Sequence, residues 1–448
     1  MNYIVKPSLE HIALVKTAST LWIQSDIRLL IKFNFSLVGA DQFREWQKIE
    51  NRVTNRVSQL PLPEVSKEKI IAFIKPIGLE ILKWMEYHCI GYIQVDLPTD
   101  FSWKAQGTID RKKTAEMLIK NKNLDICKRY KLACVYCLEN EISVLWNEIP
   151  VIVRRSFSIR LPKKSSSQKF PEICVQDNQR DLESLWTYIK QRGYDRASSY
   201  YQHLFKCCVI TGNQVAAEYF YEKLSVTETH DFLVRYARLE ADGDVLYFLL
   251  TLMNKDQQIE VLERVPYKVL KVFLDWPLQS LFTDVANFMW DFLSEEDYDT
   301  LLNKIVDKIR DDCKICNYKI LFINSLQQSP PRLKNYVIGE HANGFLLTHL
   351  YLNKDKENFK LLLRSITTKE KTALIYNDKM RSICQYWIFE GEWDLLRFLI
   401  DECLPSKNEM MQFKENFERH VMWNVSKDQS TREKWDELFI LLNHPDIK

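Results

Sequence analysis

Cys207-Cys-Val-Ile-Thr-Gly-Asn-Gln-Val-Ala-Ala-Glu-Tyr-Phe220 decides the fold: an apolar run stops at Gly212-Asn213 and a second apolar, aromatic run opens directly behind it. A helix ending on a short polar or Gly turn, with a second helix opening behind it on an apolar and aromatic run, makes the stretch read as helix, short turn, helix. Residues 133–146, 237–250 and 388–400 read the same way, with weaker copies at 178–186, 283–290, 317–322, 356–363 and 432–439. The turns fall near 140, 178, 212, 243, 283, 317, 356, 391 and 432, a spacing of 31 to 41 residues. That is the period of stacked helical repeats, in which each unit buries its apolar face only against its neighbours.

Capping signals support the spacing. Ser225 with Glu228, Ser294 with Asp297, Thr367 with Glu370 and Ser406 with Glu409 each place a hydroxyl three residues before an acid. Such pairs satisfy two orphan amides reciprocally and open helices. They follow their turns by about one helix length, so each is expected to open the first helix of the next pair. About nine helix pairs result, giving an all-α fold, an α-solenoid of stacked helix pairs.

Composition agrees with a large helical protein: 448 residues, 46% apolar, 27% charged and only ten glycines. A net charge of +2 gives no global attraction to nucleic acid, anionic membrane or acidic substrate, so partners are expected to be proteins. The first ten residues include Lys6, Pro7 and Glu10 rather than an apolar signal core, and no apolar run reaches the ~18 residues of a membrane span. Eleven cysteines without a dense framework read as reduced thiols packed as small apolar residues. These features point to an intracellular protein, cytoplasmic in preference to nuclear. The sequons at Asn34 and Asn424 would matter only in a secreted chain.

The N-terminal quarter differs from the repeats. Residues 8–59 have helical apolar spacing, Pro61 and Pro63 interrupt it, and residues 70–90 contain Pro76 and read as two helices or one kinked helix. Residues 97–103 form a turn-rich connection. The expected division is a helical N-terminal cap at 1–105 and a repeat array at 106–448.

Pro7-Ser-Leu-Glu-His-Ile-Ala-Leu-Val-Lys16, Arg129-Tyr-Lys-Leu-Ala-Cys-Val-Tyr-Cys-Leu-Glu139 and Asp275-Trp-Pro-Leu-Gln-Ser-Leu-Phe282, followed by residues 289–299, resemble an uncharacterised, lineage-expanded arachnid family described as ankyrin-repeat-like. The resemblance spans most of the chain and implies a fold without a known activity or assigned residues. The turns Gly212-Asn213 and Gly391-Glu392 look like the ankyrin turn, whereas the Thr-Pro-Leu-His helix opening is absent.

Chemical motifs are weak. Cys134 and Cys137, and Cys313 and Cys316, have zinc-ligand spacing, but several repeats separate the two pairs, and an apolar helical stripe favours core packing over metal or redox chemistry. Gly339 and Gly344 have the spacing of a phosphate loop, with Phe345-Leu346 in place of its Lys and Ser/Thr. His341 and His349 miss the helical zinc spacing, and His88, His203, His230 and His420 lack a matching nucleophile. Glu295 and Glu296 behind Ser294 read as a first helical turn, where acids suit the helix dipole. Trp146, Trp186, Trp290, Trp393 and Trp435 recur on the second helices and read mostly as core between repeats. No catalytic, cofactor or metal residue is expected.

One segment departs in charge. Arg154, Arg155, Arg160, Lys163, Lys164 and Lys169 lie without an acid around Ser165-Ser-Ser167, which reads as a solvated basic loop near 154–169. It is a candidate interaction patch, with Ser156 and Ser158, each preceded by Arg, as candidate phosphorylation sites. The expected function is an intracellular interaction scaffold or adaptor, not an enzyme. The alternative is an enzyme whose site is assembled from residues distant in sequence.

Overall fold

Ser8 opens the first helix by accepting the His11 amide on its hydroxyl, and helix follows helix from there. The computed structural model describes residues 7–88, 93, 96–157, 175–192, 201–224, 226–239, 241, 243–311, 316–339, 341–404, 406–421 and 440. Among these residues the chain forms 25 α-helices and no strand, with one isolated bridge between Trp103 and Ile109. The fold is all-α. None of the described helices is long and apolar enough to cross a membrane. Two compact units divide the chain, Met1–Ser280 and Leu281–Lys448.

In the first unit, α1 (Leu9–Trp22), α2 (Ser25–Asn34), α3 (Gly39–Ser58) and α4 (Glu64–His88) form an N-terminal layer in which α1 and α3 both lie on α4. Trp22 is fully buried at its centre, stacked on Trp46 at 5.3 Å, with its indole donating to the Ile74 carbonyl at 2.9 Å. Pro76 does not split α4, which runs as one helix. Gly78, one turn from that carbonyl, leaves the room: a Cβ there would overlap the Trp22 ring.

Then come α5 (Arg111–Lys120), α6 (Ile126–Val135), α7 (Glu139–Glu148), α8 (Val151–Arg154), α9 (Val175–Arg192), α10 (Tyr201–Ile210), α11 (Gln214–Lys223), α12 (Val226–Leu239), α13 (Gly243–Leu252), α14 (Lys255–Arg264) and α15 (Pro266–Leu274). Contacts run mostly between near neighbours: α6 on α7 and α9, α10 on α9 and α11, α13 on α11, α12 and α15.

In the second unit come α16 (Phe282–Met289), α17 (Glu295–Arg310), α18 (Tyr318–Gln328), α19 (Pro331–Ile338), α20 (Leu346–Leu352), α21 (Lys356–Ser365), α22 (Thr368–Ile375), α23 (Asp378–Glu390), α24 (Trp393–Cys403) and α25 (Lys407–Val421). Here the contacts advance by threes: α17 with α20, α18 with α21, α19 with α22, α20 with α23, α21 with α24. The caps Asn317, Asp355 and Glu392 that open α18, α21 and α24 are spaced accordingly. The expected unit was a helix pair. The observed unit has a third, short helix, because the Thr367–Glu370 capping box opens α22, and Asn377 then caps a separate α23 before the next turn.

The turn between helices is one structure used repeatedly. Cys137, Gly212, Lys354 and Gly391 take positive φ of 53°, 74°, 50° and 75°. The following amide reaches back five residues in each case: Leu138 to Ala133, Asn213 to Cys208, Asp355 to Leu350 and Glu392 to Trp387, at 2.8 to 3.0 Å. This bond closes a left-handed helix C-cap. The same four residues then serve as N-caps of α7, α11, α21 and α24. Expected turns at 178 and 283 fall instead inside α9 and at the second residue of α16, and 432 lies outside the described residues.

Candidate functional site

The helix turns of the first unit do not face open solvent everywhere. Gly212 and Gly243 stand opposite α4, the 104–112 segment and residues 271–278, and two adjoining cavities of about 460 and 340 Å³ open between them. Both are lined by Arg111, Gly212, Asp244 and Leu278, so they form one cleft. Trp276 fixes its far wall. Its ring stacks on His11 at 5.6 Å and meets Phe73 edge-on at 5.5 Å, while its indole reaches the Gly107 carbonyl at 3.5 Å. Gly107 sits at φ 100°, and a Cβ there would overlap Trp276, so both the backbone conformation and the close approach require glycine.

Charge in the cleft is mixed and fixed. Buried Glu80 accepts from Lys83 Nζ at 3.0 Å and from the Ile109 amide at 3.3 Å, joining α4 to the segment that bears Arg111. Burial opposes the charge on Lys83, but Glu80 and Asp244 hold its ammonium above the ordinary lysine value. Arg111 is likewise raised against burial by Tyr136, Asp244 and Glu80. Burial pushes the Glu86 carboxyl and the Tyr87 phenol upward. Behind the cleft, His88 bonds the Trp84 carbonyl at 2.8 Å through Nδ1 and the Tyr136 hydroxyl at 2.6 Å through Nε2. Burial lowers its pKa to about 3, so it is a neutral core histidine.

The basic segment is described only at its start. Arg154 packs over the Trp146 ring at 5.5 Å and donates to the carbonyls of Ile149 and Asn147, closing the end of α7 instead of projecting from a loop. Arg155 and Ser156 are exposed, the Ser156 hydroxyl donating to Val153 O at 2.7 Å. Ser158, Arg160, Lys163, Lys164 and Lys169 lie outside the described residues.

Cys134 and Cys137 are both buried, but Cys137 is the left-handed turn residue and not part of the helix that carries Cys134. Burial raises both thiols, which suits packing. Cys313 is outside the described residues and Cys316 is half-buried. At Gly339 and Gly344 the phosphate-loop spacing has another cause. The Asp299 carboxylate accepts from the Phe345 and Leu346 amides at 2.7 and 2.9 Å, and a Cβ at Gly344 would overlap it. An anion's position at the start of α20 is thus already taken by a carboxylate.

His349 meets Asp307 at 3.0 Å, remote from His341 in role. Glu295 and Glu296 fall in the first turn of α17, capped by Ser294. Trp146, Trp186 and Trp290 are buried, Trp393 is half-exposed, and Trp435 lies outside the described residues.

Among the described residues one set of side chains could hold a metal, and it is not apparent from the sequence alone. Asp181 on α9 and His203 and Cys207 on α10 bring their ligand atoms within 4.8 Å of one another, with Cys207 Sγ 3.3 Å from His203 Nε2. The His-x-x-x-Cys spacing on one helix was visible in the sequence; the partner carboxylate on another helix was not. A scan against protein-family models gives no match, and a search of curated proteins gives none either.

Proposed function

We propose that the chain is an intracellular scaffold or adaptor, a degenerate ankyrin-like helical array whose first unit receives a protein partner in the cleft between its N-terminal layer and its helix turns. The observation that carries this reading is the position of the turns. Gly212, in the turn between α10 and α11, and Gly243, the first residue of α13, share the wall of one cleft with Leu278, Val245 and Val272 as its apolar part. Stacked repeats commonly bind partners on extended concave surfaces.

Electrostatics support binding over chemistry. Lys83 and Arg111 are held more firmly cationic than usual, opposite to the lowered lysine that serves as a base or nucleophile. Exposed Lys104, Lys112, Glu218 and Asp244 stand at the rim, which suits a polypeptide segment carrying both signs of charge.

The test is quantitative comparison of proteins retained by the intact chain and by Lys104→Glu/Lys112→Glu, with Lys369→Glu in the second unit as control. The proposal expects a partner lost from the double variant and kept by the control. An unchanged partner set overturns the cleft as the docking site. Turnover of a small molecule that fails when Lys83 and Glu86 are replaced would favour the enzyme alternative.

A further inference from the structure

We infer that Asp181, His203 and Cys207 form a binding site for a zinc-class divalent metal ion, clamping α9 to α10. Three ligand types converge from two packed helices, with all donor atoms within 4.8 Å. His203 and Cys207 are four residues apart on α10 and therefore on one face. Zinc bonds of ~2.3 Å to sulfur and ~2.0 to 2.1 Å to nitrogen or oxygen put neighbouring tetrahedral ligands about 3.3 to 3.7 Å apart. The 3.3 Å between Cys207 Sγ and His203 Nε2 is already such an edge. The carboxylate needs to close by roughly 1 Å at most, within the reach of an aspartate rotamer change.

The donor set selects the ion. Thiolate, imidazole and carboxylate together suit Zn²⁺ or Co²⁺ and not the all-oxygen preference of Mg²⁺ or Ca²⁺. Three protein ligands leave a fourth position for water.

A catalytic Cys-His-Asp triad is the rival use of the same residues. Two facts oppose it: Cys207 is fully buried, and its thiol is pushed up to about 12 by burial first and the Asp181 charge second. A nucleophilic cysteine needs the reverse. A metal ion supplies what this thiol lacks, because it displaces the proton, which leaves to solvent as the Sγ–metal bond forms. Lys206 is the nearby opposing charge, raising the cost of a cation there, and the carboxylate and thiolate together outweigh it. α10 ends at the Gly212 turn, so the clamp would also fix one wall of the cleft.

The test is Co²⁺ titration of the metal-free, full-length, reduced chain. A thiolate-to-cobalt charge-transfer band and tetrahedral visible bands saturating at one ion per chain, and bleached by Zn²⁺, are expected, with one proton released per ion. Cys207→Ser removes the charge-transfer band. His203→Gln and Asp181→Asn weaken binding by about 100-fold or more, beyond the 10- to 100-fold typical of outer-shell changes. Cys134→Ser and Cys384→Ser leave binding unchanged. Circular dichroism verifies folding, and the two half-buried variants keep the test decisive if Cys207→Ser does not fold. Absence of the band in the intact chain, or its survival in Cys207→Ser, overturns the site. Partner retention in the cleft is read separately, so either result stands without the other.

Discussion

The two units use the same turn to opposite effect. In the first, Gly212 and Gly243 border cavities of about 460 and 340 Å³; in the second, the turn at Lys354-Asp355 and that at Glu392 border one of about 20 Å³. The turn itself is not the cause, since both versions pair a left-handed residue with a capping residue in the same conformation. What differs is what stands against it. In the second unit neighbouring turns close on each other through the Lys356–Glu392 ion pair and the stacked Tyr351 and Tyr386 at 5.5 Å. In the first, Glu80 of the N-terminal layer, Arg111 and Trp276 line the space in front of the turns. The open cleft of the first unit is here a product of the N-terminal layer that faces its turns.

The strongest way to break this comparison is to remove the pillar of the N-terminal layer. Trp22→Ala deletes a fully buried indole and its bond to Ile74 O, and should cost about 3 to 5 kcal/mol. Hydrogen exchange should accelerate in α1 to α4 while the amides of Asp355 and Glu392 keep their protection. Equal loss in both units would mean that the layer supports more than its own unit.

Next in size is the buried cap that ties one layer to another. Asn213 donates from Nδ2 to the Val135 carbonyl at 3.0 Å and accepts from the Ala216 amide, and Asn377 donates to the Gly339 carbonyl while capping α23. Replacing either by Ala strands buried polar groups and should cost roughly 1 to 3 kcal/mol in chemical denaturation. Similar values at the two sites would show that inter-layer bonding is common to both units; a near-zero value at Asn213 would detach the cleft wall from α6.

These residues mark how far the sequence could be read. Helical class, six of the turns and the Thr367 and Ser406 capping boxes were legible because caps and turns are local chemistry. Asn254 with Gln257 forms a further reciprocal box that a search for Ser or Thr with an acid passes over. The cleft was not legible, because Glu80, Gly107, Gly212 and Trp276 are distant in sequence and meet only after the N-terminal layer folds back. The Asp181 cluster failed for the same reason: periodicity reports which face a residue occupies, not what faces it.

A smaller effect probes the cleft's rear wall by pH. His88 titrates near 6.5 when unfolded and at about 3 when folded, so the unfolded chain binds the extra proton between these values. Its contribution is complete above pH 6.5 and falls by about 1.4 kcal/mol per pH unit as acid is added toward pH 3. His203, also lowered by burial, acts with the same sign. His88→Gln should flatten the slope between pH 6.5 and 5, above the range where Asp26 and Glu370, both held below their ordinary values, lose their share. An unchanged slope would place the titrating group elsewhere.

The smallest effect tests whether the turn is truly the same in both units. Lys354 holds φ 50° with an exposed side chain, where a Cβ is disfavoured, whereas Gly391 and Gly212 hold φ 75° and 74° without that cost. A left-handed L-residue costs roughly 1 to 2 kcal/mol relative to its preferred conformation, and glycine returns part of the gain as extra entropy in the unfolded chain. Lys354→Gly should therefore stabilise by about 0.5 to 1 kcal/mol. Gly212→Ala should destabilise by about the same amount, because open space around its Cβ position leaves backbone conformation as the sole penalty. Chemical denaturation of the two variants reads both signs. If Lys354→Gly is neutral or harmful while Gly212→Ala costs the expected amount, the Lys354 turn gains from its side chain something the backbone does not record, and the two units do not share one turn.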